Sequence, residues 1–220
     1  MQDKIEKLKN RLREYFKLDK SGHDFGHLIR VMKIATYLQS KEGGDLEVIA
    51  ISALVHDVHR IMQTKIDKFV PPKDSLGEVS NLISDLGLSK ENIEHILYAV
   101  EHHEEYGFGK EKVTVTDIES QILQDADNLD LVGAIGIGRN FQYDIAYGII
   151  NYDETIPLYQ NEFSEIQQDA STIHHMYNKV MRLGEFMNTK TARKLAKTRT
   201  EFLDKFIGQY ISEWNGEFEE

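Results

Sequence analysis

The run Val48-Ile49-Ala50-Ile51-Ser52-Ala53-Leu54-Val55 is almost devoid of polarity, and it closes on His56-Asp57. A helix over roughly Leu46 to His56 is apolar on nearly all sides, so other elements must enclose it at the centre of the fold. An imidazole and a carboxylate are unwelcome in such a place. Burying even a neutral polar group without a partner costs roughly 2–7 kcal/mol. Two such groups at the end of a core helix need a common partner, and a metal cation supplies one. The plainer alternative is a polar helix end that happens to carry His and Asp.

The rest of the chain is patterned for helices that could do the enclosing. Ile5, Leu8, Leu12, Tyr15 and Phe16 share one helical face, and residues 17–22 break it. A second helix is predicted from about Asp24 to Ser40, with Leu28, Val31, Ile34, Ala35 and Leu38 on its stripe and Gly43-Gly44 as the stop. Residues 59–75 read as a loop ended by Pro71-Pro72, with Asp74 or Ser75 capping the next helix. That helix carries Val79, Leu82, Ile83 and Leu86 and ends at Gly87. Another spans Glu91 to about Glu104, followed by a turn at Tyr106-Gly107-Phe108-Gly109. Val113 to Thr116 is a short extended piece or a helix entry capped at Thr116. Helical patterning resumes from Asp117 to about Gly133, and residues 144–162 lose it as an irregular excursion. Ala170–Gly184 and Thr191–Trp214 are the last helices expected. No Gly- or Pro-rich linker divides the chain, so a single all-α bundle over residues 1–220 follows. Its metal-site core lies at about 20–140 and a C-terminal helical portion at about 165–215.

Composition narrows the function classes. A net charge of −11 repels a phosphate backbone, which argues against nucleic-acid polymers and anionic membranes as partners. A small phosphorylated substrate remains compatible, because a bound divalent ion and local Lys or Arg reverse the sign inside a cleft. The absence of Cys removes disulfides and thiolate zinc sites and suits a reducing cytosol. The N-terminus, Met1-Gln2-Asp3-Lys4-Ile5-Glu6-Lys7, lacks an apolar signal core, and no stretch reaches the ~20 apolar residues of a membrane span. A cytoplasmic protein is expected.

Two further segments join the doublet: His23-Asp24-Phe25-Gly26-His27 upstream and Asp125-Ala126-Asp127-Asn128-Leu129-Asp130 downstream. Together they offer His27, His56, Asp57 and either Asp125 or Asp127. Two imidazoles and two carboxylates form a mixed nitrogen and oxygen set that suits a first-row divalent ion and leaves positions open for water. Arg139 closes Gly136-Ile137-Gly138-Arg139, where a guanidinium follows a flexible backbone and suits bidentate phosphate contact. Lys65 and Lys73 lie on the loop after the doublet and could fold over a substrate. His23 and Asp24, near His27 in sequence, are candidates for general acid or base, with an N-cap role as the alternative for Asp24.

This His…His-Asp…Asp order resembles the HD superfamily of metal-dependent phosphohydrolases. The stretch Asp125 to Arg139 is similar to the signature of a subgroup of small bacterial phosphohydrolases. Ile173-His174-His175-Met176-Tyr177-Asn178-Lys179, Met187-Asn188-Thr189 and Arg199-Thr200-Glu201-Phe202-Leu203 resemble that subgroup's C-terminal half. The resemblance implies an all-α fold and a metal set of His27, His56, Asp57 and Asp127, with Asp125 or Asp130 orienting a ligand or a bound water. It matches Lys179 and His103 to recurrent residues of the substrate pocket. Glu104 and His59-Arg60-Ile61 depart from the pattern and leave substrate choice open. The implied activity is cleavage of nucleoside triphosphates to monophosphate and pyrophosphate with a divalent ion, Mn²⁺ first and Co²⁺, Mg²⁺, Fe²⁺ or Zn²⁺ also tolerated. The rivals are a nucleotide 5′-monophosphatase, a nucleotide- or metal-sensing module without turnover, and a purely structural helical protein. The last helix, with Phe202, Phe206, Ile207, Tyr210, Ile211 and Trp214, closes the core or buries a homodimer surface.

Overall fold

A computed structural model of the chain describes residues 1–105, 114–158 and 170–217. Every regular element among the described residues is helical, which agrees with the all-α expectation. The first three helices are α1 (Gln2–Tyr15), α2 (Phe25–Glu42) and α3 (Leu46–Val55). Asp24 caps α2 by accepting from His27 N at 2.8 Å, and Asp45 caps α3 by accepting from Glu47 N and Val48 N. Then follow α4 (Val58–Ile66), a 3₁₀ turn (Pro72–Ser75), α5 (Leu76–Ile83) and α6 (Lys90–His102). The chain continues with α7 (Ile118–Leu131), α8 (Ala134–Ala146), α9 (Thr172–Asn178), a 3₁₀ stretch (Val180–Phe186) and α10 (Lys190–Trp214). No helix among the described residues is long and apolar enough to cross a membrane.

The central helix is α3, and its all-round apolarity has a simple cause. It packs on α2 and α7 on one side and on α6 and α1 on the other. Ile49 and Ala53 join Val31 and Leu38 of α2, Leu123 and Leu129 of α7 and Leu203 and Ile207 of α10 in one hydrophobic cluster. Ile51, Leu54 and Val55 join Leu8 and Leu12 of α1, Ile83 of α5 and Val100 of α6 in a second. The interior among the described residues is thus two hydrophobic clusters back to back, with α3 as the wall between them. Full burial of a Leu or Ile side chain contributes ~1.5–3 kcal/mol, so this helix anchors both halves.

Several expectations are corrected. Residues 58–66 are helical rather than loop, because Val58, His59 and Ile61 turn inward in α4 and are buried. The helix stops at Asp67, whose φ of 51° is left-handed. Asp117, not Thr116, caps α7, accepting from Ser120 N at 2.8 Å. The Gly136-Ile137-Gly138-Arg139 stretch is no flexible loop but part of α8, and residues 147–158 hold only turns and bends. The expected helix over 170–184 divides into α9 and the 3₁₀ stretch after it. The turn expected at Tyr106-Gly107-Phe108-Gly109, the residue Val113 and residues 159–162 lie outside the described residues.

The α7–α8 corner shows why glycine stands at two of these positions. Gly133 has φ +95°, a conformation that L side chains rarely adopt. A Cβ on Gly136 would stand 1.7 Å from the carbonyl oxygen of Leu131, whereas one on Gly138 would meet nothing within 4 Å. Gly136→Ala is therefore expected to forbid the tight corner and sharply lower the melting temperature. Gly138→Ala, in an exposed helix interior, should instead stabilise by ~0.5–1 kcal/mol. Thermal melts of the two variants check the pair, and equal effects would contradict this account of the corner.

Candidate metal centre

Three pieces of chain converge beneath the C-terminal end of α3. His27 comes from the first turn of α2, His56 and Asp57 from the break between α3 and α4, and Asp127 from the middle of α7. His27 Nε2 lies 3.2 Å from His56 Nε2, 3.2 Å from Asp57 Oδ2 and 3.4 Å from Asp127 Oδ1. His56 Nε2 lies 3.5 Å from Asp57 Oδ2 and 3.7 Å from Asp127 Oδ1. Ligands held about 2.0–2.2 Å from one ion stand about 3.0–3.6 Å apart in octahedral or tetrahedral arrangement, and all but the 3.7 Å His56–Asp127 spacing fall in that range. Asp57 Oδ2 is buried with no hydrogen-bond partner in the described structure, which suits an atom that would ligate a cation. The residues present therefore fit a divalent ion.

The surroundings hold the donors in place. His56 Nδ1 faces the carbonyl of Ala53 at 3.0 Å, which directs its other nitrogen to the quartet. His27 Nδ1 meets Asp130 Oδ2 at 2.8 Å, and Asp130 is gripped by Arg30 at 2.9 Å and by Arg139 at 3.2 Å. A carboxylate behind a ligating imidazole fixes its ring and raises its basicity. Burial opposes charge on Asp57, yet the facing imidazoles, His56 foremost, with contacts from His103 and His27, hold its carboxyl well below the usual range. Burial likewise opposes charge on Asp127, and His27 and His56 outweigh it in the same direction. At His27, burial and Arg139 disfavour the cation, but the three carboxylates of Asp127, Asp130 and Asp57 push the pKa up to about 10. A divalent ion would answer the same carboxylates that the proton on His27 answers.

The quartet opens into a cleft of about 230 Å³ through Asp57 and Asp127. Arg139 and Lys179 line it, as does His23. Arg139 is largely committed to structure, since its Nε donates to Gly22 O at 2.9 Å while another arm reaches Asp130. Asp24 serves as the α2 cap. His103 lies behind Asp57 rather than on the cleft wall, with Nε2 3.8 Å from Asp57 Oδ1. Neither Lys65 nor Lys73 lines the cleft. The Lys65 ammonium sits 4.5 Å from the centre of the Tyr15 ring.

Asp125 and Asp130 separate cleanly. Asp130 supports His27, whereas Asp125 points away, accepting from Asn188 N at 2.6 Å and Thr189 N at 2.7 Å at the start of α10. Sequence reasoning singled out neither Arg60 nor Ser21 as site residues, and both line the cleft. Arg60 is one helical turn past Asp57, a spacing that could have flagged it. A larger groove of about 560 Å³ runs past Arg30, Lys33 and Phe202, but none of the quartet lines it.

An all-helical frame that brings two buried imidazoles, a buried carboxylate and a half-buried one together at an open cleft is the architecture of a metal-centred hydrolase. Comparison with known proteins agrees. The HD domain family matches residues 24–131, the segment that holds the whole quartet. An HD-superfamily hydrolase from Bacillus thuringiensis is 33% identical, with a TM-score of 0.72 over 97% of this chain and 98% of that one. The uncharacterized protein YpgQ of Bacillus subtilis is 33% identical over 191 residues, 87% of this chain and 84% of YpgQ. The crystal structure of YpgQ in complex with ADP has a TM-score of 0.72, covering 96% of this chain and 95% of that chain at 28% identity. The chain belongs to the HD superfamily of phosphohydrolases.

The choice between the two downstream carboxylates can be tested directly. Asp127→Ala is expected to remove the Mn²⁺-induced rise in melting temperature. Asp125→Ala should keep that rise but lower the metal-free stability by about 1–3 kcal/mol, because two buried amide donors lose their acceptor. The reverse pattern would assign the fourth ligand to Asp125.

Proposed function

We propose that this protein is a metal-dependent phosphohydrolase of nucleotides that cleaves nucleoside triphosphates to monophosphate and pyrophosphate. The observation that carries this reading is the placement of the four-donor set at a cleft whose walls also carry Arg60, Lys179 and His23. YpgQ in complex with ADP supports a nucleotide ligand for this chain. His27, His56, Asp57 and Asp127 would hold the ion, Mn²⁺ first, with Co²⁺, Mg²⁺, Fe²⁺ or Zn²⁺ tolerated by the same donors. Such an ion supplies Lewis acidity, both activating water and neutralising charge on a phosphoryl group.

The chain's own residues do the rest. Ser21 Oγ donates to Asp19 Oδ1 at 2.7 Å, so its lone pair accepts from His23 Nδ1–H at 2.9 Å. His23 then keeps its lone pair at Nε2, the tautomer a general base requires. Burial holds its pKa well below the ordinary imidazole value, leaving it neutral near pH 7 and able to take a proton from the attacking water. Asp24 spends its carboxylate on the α2 cap, so of the two upstream candidates His23 is assigned the acid–base role. Arg60 and Lys179 meet the phosphate charge, and phosphoryl transfer asks for little beyond such positioning and neutralisation. Arg139 steadies Asp130 and the Gly22 carbonyl, and through them His27 and the turn that carries His23. With a net charge of −11, the substrate is a small molecule rather than a nucleic-acid polymer.

A panel of nucleoside mono-, di- and triphosphates with Mn²⁺, assayed for phosphate and pyrophosphate, tests the reading. Pyrophosphate from triphosphates is expected, falling to background in Asp57→Ala and by roughly 10²–10⁴ in His23→Ala. Orthophosphate from monophosphates would move the protein to the nucleotidase reading. Nucleotide-dependent thermal stabilisation with no turnover under any divalent ion would make it a sensor.

A further inference from the structure

The groove of about 560 Å³ lies between α2, the α7–α8 corner and α10, with none of the quartet on its walls. That volume suits a small organic ligand. Its chemistry is divided. Ile34, Val132, Ile135 and Phe202 give it an apolar wall, and Ile135 and Phe202 are 54% and 51% exposed. Arg30, Lys33 and Arg199 bring three cations to it. Asp130 is the one carboxylate among the described residues that line it, and His27, Arg30 and Arg139 already hold that carboxylate. In a chain of net charge −11, three cations around one spent carboxylate invert the local sign.

Two of the three cations lack a counter-ion. Neither Lys33 nor Arg199 has a carboxylate within ion-pair range among the described residues. Lys33 is exposed on α2. Arg199 is half-buried on α10, where one arm donates to the Leu129 carbonyl oxygen. Burial lowers its pKa, against the raising pull of Asp130. Its stem is packed into the corner, for a Cβ on Gly133 would stand 3.2 Å from Arg199 Cβ. The guanidinium is thereby fixed beside the groove, partly desolvated and without a counter-ion, at a cost that a bound anion would offset. The first turn of α8 lies on the same wall behind Gly133, which has no side chain to cap it, and the helix dipole adds to the positive field.

We infer that this groove binds a small organic anion, its charged head at Lys33 and Arg199 and its apolar body along Ile34, Val132, Ile135 and Phe202. A second copy of the chain is a poorer occupant, because two such faces related by a two-fold axis bring like charges together. Arg30 links the groove to the quartet. It donates Nε to Asp130 Oδ1 at 2.9 Å and Nη2 to Asp130 Oδ2 at 3.0 Å, and that second oxygen stands 2.8 Å from His27 Nδ1. An anion beside Arg30 offsets part of the guanidinium charge. More carboxylate charge is then left behind His27, which strengthens the imidazole as a metal donor. Anion and divalent ion tighten each other's binding by the same factor. This coupling, unlike the groove itself, rests on the reading that the quartet holds a divalent ion.

The test is calorimetric titration of the full chain with octanesulfonate, an anion with no phosphoryl group to cleave, without and with Mn²⁺. One saturable site per chain is expected, with neutral octanol weaker by roughly tenfold or more. Lys33→Glu and Arg199→Gln should each weaken the sulfonate by about 3–10-fold while keeping the helical circular dichroism of the parent. Lys179→Ala, in the cleft, should leave its binding unchanged, and Mn²⁺ should tighten it severalfold. No saturable binding, or binding that survives both groove variants and is lost in Lys179→Ala, would overturn the groove as an anion site. A parent chain that self-associates through this face, with the contact broken by Phe202→Ser, would also overturn it and make a second copy the occupant. Unchanged sulfonate affinity with Mn²⁺ bound would overturn the coupling alone. Failure of Mn²⁺ to bind would overturn the quartet reading and the coupling with it, leaving the groove to its own result. Lys33→Glu, at an exposed position, decides the matter if Arg199→Gln fails to fold.

Discussion

The Nε2 atoms of His27 and His56 stand 3.2–3.7 Å from carboxylate oxygens of Asp57 and Asp127, and carboxylates so crowded and so far withdrawn from water cannot remain uncompensated. That constraint shapes the frame around them. Each donor arrives on a helix already buried for other reasons: α2 and α7 by their packing on α3, and the doublet by the end of α3 itself. The quartet is therefore assembled where the helices pack most closely on α3, and side chains there have little room to turn away. Asp130, Arg30 and Arg139 extend the same electrostatic chain outward from His27, so that a charge change at the centre is felt at the α7–α8 corner and at the Gly22 carbonyl.

The break between α3 and α4 solves a geometric problem. Neighbouring residues in a continuous helix project about 100° apart, so His56 and Asp57 could not both face one point from the middle of a helix. At the break His56 keeps helical dihedrals while Asp57 sits at φ −93°, ψ 15°. That displaces the carboxylate far enough to meet the imidazole, and it leaves its second oxygen facing α6. The first turn of α4 then delivers His59 and Arg60 to the same neighbourhood. One local deviation from helix geometry thus serves several side chains, and its cost is spread over two flanking helices that would be buried in any case.

Much of this was legible in the sequence because it depends on helical period and on polar residues in apolar company. The central placement of α3, the convergence of His27, His56 and Asp57 and the last helix all follow from such patterns. What stayed hidden depends on contacts between distant segments. Asp125 and Asp127 flank the same stripe, and only the approach of Asn188 and Thr189 shows that one carboxylate faces α10 while the other faces the quartet. The glycines before Arg139 suggested a flexible backbone, yet Gly136 is there to let Leu131 O approach within a helix corner. The stretch after the doublet read as a loop running to Pro71-Pro72, because the pattern of Val58, His59 and Ile61 reads as buried only once His59 is counted as a core residue.

That last point bears on how an acidic chain can handle phosphates. The net charge of −11 is carried largely on the surface, whereas the cleft is built from carboxylates already spoken for. Glu104 is the clearest case: burial disfavours its charge, but His59, Arg60 and His103 hold its pKa down to about 2. A carboxylate so paired adds little repulsion toward an incoming anion, and the guanidinium that pairs with it remains on the cleft wall. The long-range field of the protein keeps polyanions away, while the short-range field at the cleft floor is set by ions and side chains within a few ångströms. On the proposed reading, preference for small phosphorylated molecules over nucleic acid would need no dedicated gate, because the two length scales carry opposite signs.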